Sequence, residues 1–497
     1  MPSDLTPRLG QIKNQIEGYA REYGLDFFDT VFEVLSYDEL NMVAAYGGFP
    51  TRYPHWRWGM QFEQLSKGYE YGLSKIYELV INNDPCYAYL LEANPEVDQK
   101  LVMAHVYGHC DFFKNNFYFQ HTNRHMIDQM ANHATRTRRW IDKVGVEKIE
   151  DFIDRALSLE NLIDYHSPYI RRAPDPKRAT EESESNDKVE GFKVGREYMR
   201  GFVNPQSFLD RQRRKVEEEK QKAKRFPEHP QRDVLLFLLE YAPLEEWEFD
   251  ILSILRDEAY YFAPQGQTKI MNEGWASYWH STIMTQRALE DAEIIDYADH
   301  HSGAMGTRPG SVNPYKLGIE LYRDIEDRWN KGRFGKEFDQ CDDLRARRTW
   351  DTQLGKGREK IFEVRKHYND VTFIDSFLTP EFALDQKMFV YGFNEKHNSW
   401  EILDREFKKV KDKLLRQLTN FGQPIIEVVD GNFENRSELQ LAHKHDGMDL
   451  KPDESRETLR ILQTLWRRPV NLVTRVEGSG VIMRYDGQDH SDKKVEL

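Results

Sequence analysis

Two histidines stand four residues apart in this chain, His105 and His109, and His121, His125 and His133 follow within 29 residues of the first. On a helix, positions i and i+4 are neighbours on one face, and Leu101, Gly108 and Phe112 share that face with the two imidazoles. Burying two polar rings on an apolar stripe costs several kcal/mol unless each finds a partner. A divalent metal would satisfy both at once, neutral imidazole being its commonest nitrogen ligand. Carboxylates or carbonyls in a packed core would satisfy them too, so the pair alone leaves both readings open. His121 and His125 fit surface or structural roles, as do His443 and His445 beside the Asp446-Gly447 turn.

A second segment, Met271-Asn-Glu-Gly-Trp-Ala-Ser-Tyr-Trp-His280, adds a carboxylate. Glu273, Ala276, Ser277 and His280 share a helical face, and the small residues would let another helix approach closely. Two histidines on one helix and a glutamate on a later one form the ligand set of many metallohydrolases, with a fourth position left for water. His105, His109 and Glu273 are therefore candidate ligands for a divalent metal, with zinc the expected ion.

Other residues are candidates for moving protons. Glu258 lies on the stripe of Ile251, Leu255 and Phe262, and Glu160 in line with Ile153, Ala156 and Ile163. A carboxylate on such a stripe needs a metal, a histidine to orient or a base such as Arg256. His133 follows His125 by eight residues with Gln129 between them. Glu258 and His133 are the candidate catalytic acid–base groups, and Tyr278, with Tyr107, a candidate oxyanion donor. In the His-Glu-x-x-His metallopeptidase motif the general base directly follows the first histidine. Here that position is Val106, which cannot accept a proton. Another residue must supply the base, or the site does not hydrolyse by that route.

These residues need helices to position them. Asn94-Pro95-Glu96 is a good helix start, with a capping Asn, Pro at the first position and an acid facing the dipole. Helical patterns extend through residues 1–172, broken by an aromatic passage from Gly47 to Trp58 that reads as a packed loop. Residues 173–232 read as a charged insertion: 174–188 is polar with no apolar period, and 211–225 reads as a solvated helix, a linker or a docking segment. Helical periodicity returns over 233–420 and carries Glu273. The last stretch, 421–497, changes to strand patterns at Pro424–Val429, Glu438–Ala442, Val470–Thr474 and Val481–Met483, with a helix from Ser455 to Trp466. The expectation is an α+β chain, predominantly α-helical, with a helical body and a small C-terminal α+β unit.

Composition narrows the function. The 70 basic and 84 acidic residues among 497 give a net charge of −14, which argues against a nucleic-acid binder. Aromatics at 13% argue for a folded chain. Three scattered cysteines exclude a disulfide framework and a cysteine-only metal site. The longest apolar run, Val234–Leu239, is far short of a membrane span, and the N-terminus lacks the basic start and apolar core of a secretory signal. A cytoplasmic protein with no integral membrane segment is expected.

The segments Ala104-His-Val-Tyr-Gly-His-Cys-Asp-Phe-Phe-Lys-Asn-Asn116 and Lys269-Ile-Met-Asn-Glu-Gly-Trp-Ala-Ser-Tyr-Trp-His280 closely resemble the stage V sporulation protein R (SpoVR) family. Leu244–Leu252 and Arg256–Gln265 are similar to the family's approach to the second segment, and the likeness covers most of the chain. The resemblance implies a cytoplasmic bacterial protein with a role in forming the spore cortex, or in a stress response where the bacterium does not sporulate. It also implies two partners, a serine protein kinase of the PrkA type and a companion with a von Willebrand-like domain. It carries over no established catalytic residue. Separately, Asn272-Glu-Gly-Trp-Ala276 after a His-x-x-x-His helix is similar to the third-ligand segment of gluzincin-type metallopeptidases. That likeness puts His105, His109 and Glu273 on the three zinc ligands, Val106 on the missing base, and implies a zincin-like helical body.

Overall fold

The structure is a computed structural model that describes residues 5–70, 79–170, 226–307 and 311–496. The expected polar loop 174–188 and charged segment 211–225 lie outside the described residues. Two compact units divide the chain. One comprises Met1–Glu150 and Tyr260–Gly422, the other Asp151–Ala259 and Gln423–Leu497. The architecture is α+β and predominantly helical. Among the described residues no helix is long and apolar enough to cross a membrane.

The first unit is organised by helices. In chain order these include α1 (Pro7–Glu22), α2 (Glu96–Asn115), α3 (Met126–Val144), α4 (Lys269–Ile283), α5 (Ile294–Ala304), α6 (Pro314–Lys331), α7 (Gly357–His367) and α8 (Asp370–Phe377). Helix α2, with the first histidine pair, is buried on nearly every face from Val97 to Phe113. The expected single apolar stripe is therefore too narrow, because a helix covered all round is a core helix. It begins at Glu96, and Asn94 lies in the preceding turn without capping it.

Contacts too close for side chains set α2, α4 and α6 against one another. A Cβ at Gly108 of α2 would lie 2.7 Å from the Ala276 Cα of α4, and one at Gly274 of α4 would lie 2.4 Å from the Gly318 backbone of α6. Glycine is used here for close backbone approach. Asp370 of α8 accepts from the Ile270 and Met271 amides at 2.8 and 2.9 Å, supplying from another helix the cap that Thr268 does not give α4. Around them pack Val102, Val106, Tyr107, Trp275, Trp279 and Tyr322, among others.

Three strands also belong to this unit, in the order β1–β3–β2. β1 (Thr30–Leu35) runs parallel to β3 (Cys86–Leu91), and β2 (Leu79–Ile81) runs antiparallel to it. The helical reading of residues 1–172 missed them. Short apolar runs such as Cys-Tyr-Ala-Tyr-Leu-Leu look alike as buried strand and buried helix. The aromatic passage is packed as expected, with Phe49 and Tyr53 buried. A hairpin of β4 (Val390–Asn394) and β5 (Ser399–Asp404) was not foreseen.

The second unit holds a five-stranded sheet, β10–β9–β8–β7–β6. Its strands are β6 (Ile426–Phe433), β7 (Glu438–His443), β8 (Val470–Val476), β9 (Ser479–Tyr485) and β10 (His490–Val495). β7 and β8 are parallel and joined by helix α9 (Pro452–Trp466), while the other pairs are antiparallel. Four strands and the helix follow the sequence expectation. Only the charged edge strand β10 was unannounced, and Pro452, not Ser455, opens the helix.

Candidate metal centre

The segments around His105 and Glu273 lie side by side and run antiparallel. His105 meets His280, Gly108 meets Ala276, His109 meets Asn272 and Asp111 meets Trp275. Each residue of Asn272–Ala276 has a contact that explains it. The Asn272 Oδ1 accepts a hydrogen bond from His109 Nδ1 at 2.9 Å. Glu273 turns its carboxylate to the two rings. Gly274 and Ala276 allow the close approaches to α6 and α2. Trp275 donates from Nε1 to Asp111 at 2.7 Å. Burial pushes the Asp111 carboxyl up to about 6, against Arg365, the Asp26 amide and Trp275.

The ligand atoms of His105, His109 and Glu273 all lie within 4.8 Å of one another, and among the described residues no other such group of His, Cys, Asp or Glu occurs. Glu273 Oε2 is 3.5 Å from His105 Nε2 and 3.4 Å from His109 Nε2. A charge-assisted bond between imidazolium and carboxylate would close to about 2.7–2.9 Å. Tetrahedral zinc, with bonds of about 2.0–2.2 Å, separates neighbouring ligand atoms by about 3.3–3.5 Å. Glu273 Oε2 is buried and accepts no hydrogen bond of ordinary geometry from the described residues. These residues fit a divalent cation, and they fit it better than they fit one another.

The local electrostatics keep the carboxylate ionised. Burial pushes the Glu273 carboxyl up, but His105 and His109 together outweigh it and hold the group well below the usual carboxylate range. His109 Nδ1 must donate, since an amide oxygen only accepts, and this leaves Nε2 with its lone pair toward Glu273. His105 Nδ1 lies 2.8 Å from His280 Nδ1, and His280 Nε2 lies 3.0 Å from His301 Nδ1. Burial, followed by the nearby His105, His301 and Arg323, pushes His280 well below its ordinary value, so it stays neutral. The Glu273 side chain keeps 17% of its surface exposed, while Oε2 itself is buried.

Among the described residues the group of ligand atoms includes neither His133 nor Glu258. His133 is fully buried on α3, where Gln129 Nε2 donates to its Nε2 at 3.0 Å. Its helix packs Met126 and Met130 into a different apolar cluster, with Leu35, Phe49 and Tyr261. Glu258 is buried. Arg256, expected as a possible partner, instead pairs with Asp233 at 2.6 Å. Tyr278 donates its hydroxyl to Glu326 at 2.5 Å, and Tyr107 donates to Glu17 at 3.3 Å. Both hydroxyls are thus engaged away from the three ligand atoms. Glu160 is exposed, because its helix ends at Leu157 and the stripe that would have buried it stops there. Asn272 and His280 stand inside the segment that drew attention to Glu273, but their outer role needed the partner helix to be seen. His301 had no sequence signal.

Comparison with known proteins gives the family. The family model described as "SpoVR like protein" matches residues 4–423, and the one described as "SpoVR-like C-terminal domain" matches residues 424–477. The first covers most of the chain, so this chain belongs to the SpoVR family. It is similar to the uncharacterized protein YcgB of Escherichia coli (strain K12), 29% identical over 496 residues, covering 94% of this chain and 92% of that one. No solved structure matches.

Proposed function

We propose that this SpoVR-family chain is a metal protein in which His105, His109 and Glu273 hold one divalent cation, zinc being the expected ion. The observation that carries the reading is the pair of 3.4 and 3.5 Å separations between Glu273 Oε2 and the two Nε2 atoms. A bound cation would supply Lewis-acid polarisation of a carbonyl or a water nucleophile at neutral pH. The chain's own residues then bind and orient. Asn272 turns the His109 lone pair inward, and His280 stands behind His105. With these ligands the reaction class is hydrolysis of a peptide or peptidoglycan-type bond, on a zincin-like helical body. The resemblance adds a cytoplasmic role in spore cortex formation or its stress-response counterpart.

One observation favours a second reading. Val106 is fully buried where a metallopeptidase carries its base. A non-catalytic regulatory or scaffold protein, tied to a PrkA-type kinase and a von Willebrand-domain companion, would use the same cation to hold α2 against α4.

Elemental analysis of the full chain, purified without chelator, tests the metal reading. Stoichiometric zinc is expected in wild type and none in His109→Ala. Wild type that takes up no divalent metal even on reconstitution would overturn it. If zinc is present, unfolding on its removal favours the scaffold, and a folded but inactive zinc-free chain favours chemistry.

A further inference from the structure

The two ligand imidazoles are held from behind in different ways. Behind His109 stands an amide oxygen, which only accepts, so the His109 proton must sit on Nδ1. Behind His105 stands another imidazole, with Nδ1 facing Nδ1 at 2.8 Å. That pair alone has no fixed polarity. If His280 donated, His105 would carry its proton on Nε2, aimed at Glu273 and unable to ligate. The polarity of that pair is coupled to the contact one ring further out, where His280 is again the donor or the acceptor. His280 Nε2 is 3.0 Å from His301 Nδ1, and a proton given there leaves His280 Nδ1 as the acceptor for His105.

The far ring is held deliberately. His301 stacks on Tyr297, ring centroids 5.5 Å apart and planes 16° from parallel. Its helix, α5, is fastened to α2 by His300 to Asp98 and, just before the helix begins, by Glu293 to Lys100 at 2.8 Å. The fastening residues lie one turn and more before His105 on α2, so the helix that bears the ligand also registers the ring that polarises it.

We propose that His280 and His301 form an orienting chain that keeps the His105 proton on Nδ1 and so presents Nε2 as a lone-pair ligand. The inference rests on the metal reading above. It makes both residues positioning groups and not ligands, since His280 lies on the side of His105 away from Glu273. Groups that hydrogen-bond the far nitrogen of a ligating imidazole are commonly worth a factor of about 10–100 in metal affinity.

The test is zinc affinity of the full-length protein by competition with a chromogenic chelator, beside the absorption spectrum of the Co2+-loaded chain. His280→Phe should weaken zinc about 10- to 100-fold and shift the Co2+ bands. His280→Gln, whose side-chain oxygen can accept from His105, should restore most of both, and His301→Phe should give a smaller loss. A purely structural role would lower the melting temperature in His280→Phe without a spectral change or rescue by Gln. Wild-type affinity in His280→Phe overturns the chain while leaving the metal reading intact, whereas zinc uptake by no form of the protein overturns the metal reading itself. Should His280→Phe fail to fold, unchanged affinity in His301→Phe together with no binding by a folded His280→Gln is the overturning result.

Discussion

Glu273 in the first unit and Glu438 in the second are both carboxylates held below their ordinary range, and they are held by opposite means. Glu438, on β7, is buried to 3% exposure and closes on its donors: Arg436 Nε at 2.8 Å, Asn471 Nδ2 at 3.0 Å and Arg484 Nη2 at 3.2 Å. Burial raises its pKa and these bonds lower it, for a net value of about 2. Glu273 faces two imidazoles that stop at 3.4 and 3.5 Å. The protein therefore closes hydrogen bonds where the carboxylate is meant to be satisfied by side chains. At Glu273 it keeps each ring nitrogen about one ligand–ligand spacing from the carboxylate, and holds the outer nitrogens of both rings instead.

The largest effect should come from removing one side of that contrast. Glu273→Ala should abolish zinc uptake, while Glu438→Gln should leave zinc content unchanged, both read by elemental analysis. Zinc at 100 times its Kd should add about 2.7 kcal/mol to wild-type stability and nothing to Glu273→Ala, seen as a shift in thermal midpoint. Equal zinc content in the two variants would erase the distinction.

Next in size is the packing that brings the ligands together. A Cβ at Gly274 would sit 2.4 Å from the Gly318 backbone, a contact no rotamer change relieves. Gly274→Ala should cost about 1–3 kcal/mol, as overpacking does, measured by the urea midpoint, and should weaken zinc as well. A Gly478→Ala change, in the second unit at a glycine of positive φ with open space around it, should leave zinc untouched. Equal zinc affinity in Gly274→Ala and wild type would show that the close approach of α4 to α6 does not position the site.

The candidate ligands were legible because their signal is local: residue type and helical spacing place His105 and His109 together, and a carboxylate among small residues marks Glu273. The outer residues were less so. Asn272 looks like any polar residue until α2 is laid against it, and His301 reaches the site only through His280. The misplacements have the same cause. Glu160 lost its stripe because a helix ended three residues earlier than periodicity alone could show. β3 was hidden because a strand buried at nearly every residue has no alternation to read, and β1 because its outer side carries the apolar Val31. In the second unit the strands β6 to β9 were legible because they are short, β-branched and bounded by turns, and β10 was not, since its Ser-Asp-Lys-Lys core has no apolar signal.

Removing the carboxylate charge in the second unit should have a moderate effect. Glu438→Gln keeps the shape but takes the charge from between Arg436 and Arg484, whose side chains are 53% and 32% exposed. Because water can reach both, the cost should be about 1–2 kcal/mol, below the figure for a fully buried pair. The urea midpoint of the full chain reads it, and a loss above that of Gly274→Ala would reverse the ranking.

The smallest effect is a pH dependence confined to one unit. The folded pKa of Glu438, about 2, lies below its ordinary value of 4.5, so over that interval the folded state binds fewer protons than the unfolded state. Its stabilisation is complete above pH 4.5 and is lost as the pH falls toward 2. Amides of Glu438–His443 and Val470–Val476 should therefore lose hydrogen-exchange protection across that window in wild type. In Glu438→Gln the same amides should start lower and fall less, because the amide side chain does not titrate. Identical profiles for the two proteins would mean that the arginines around Glu438 do not hold its charge in place, and the contrast with Glu273 would then have to rest on distances alone.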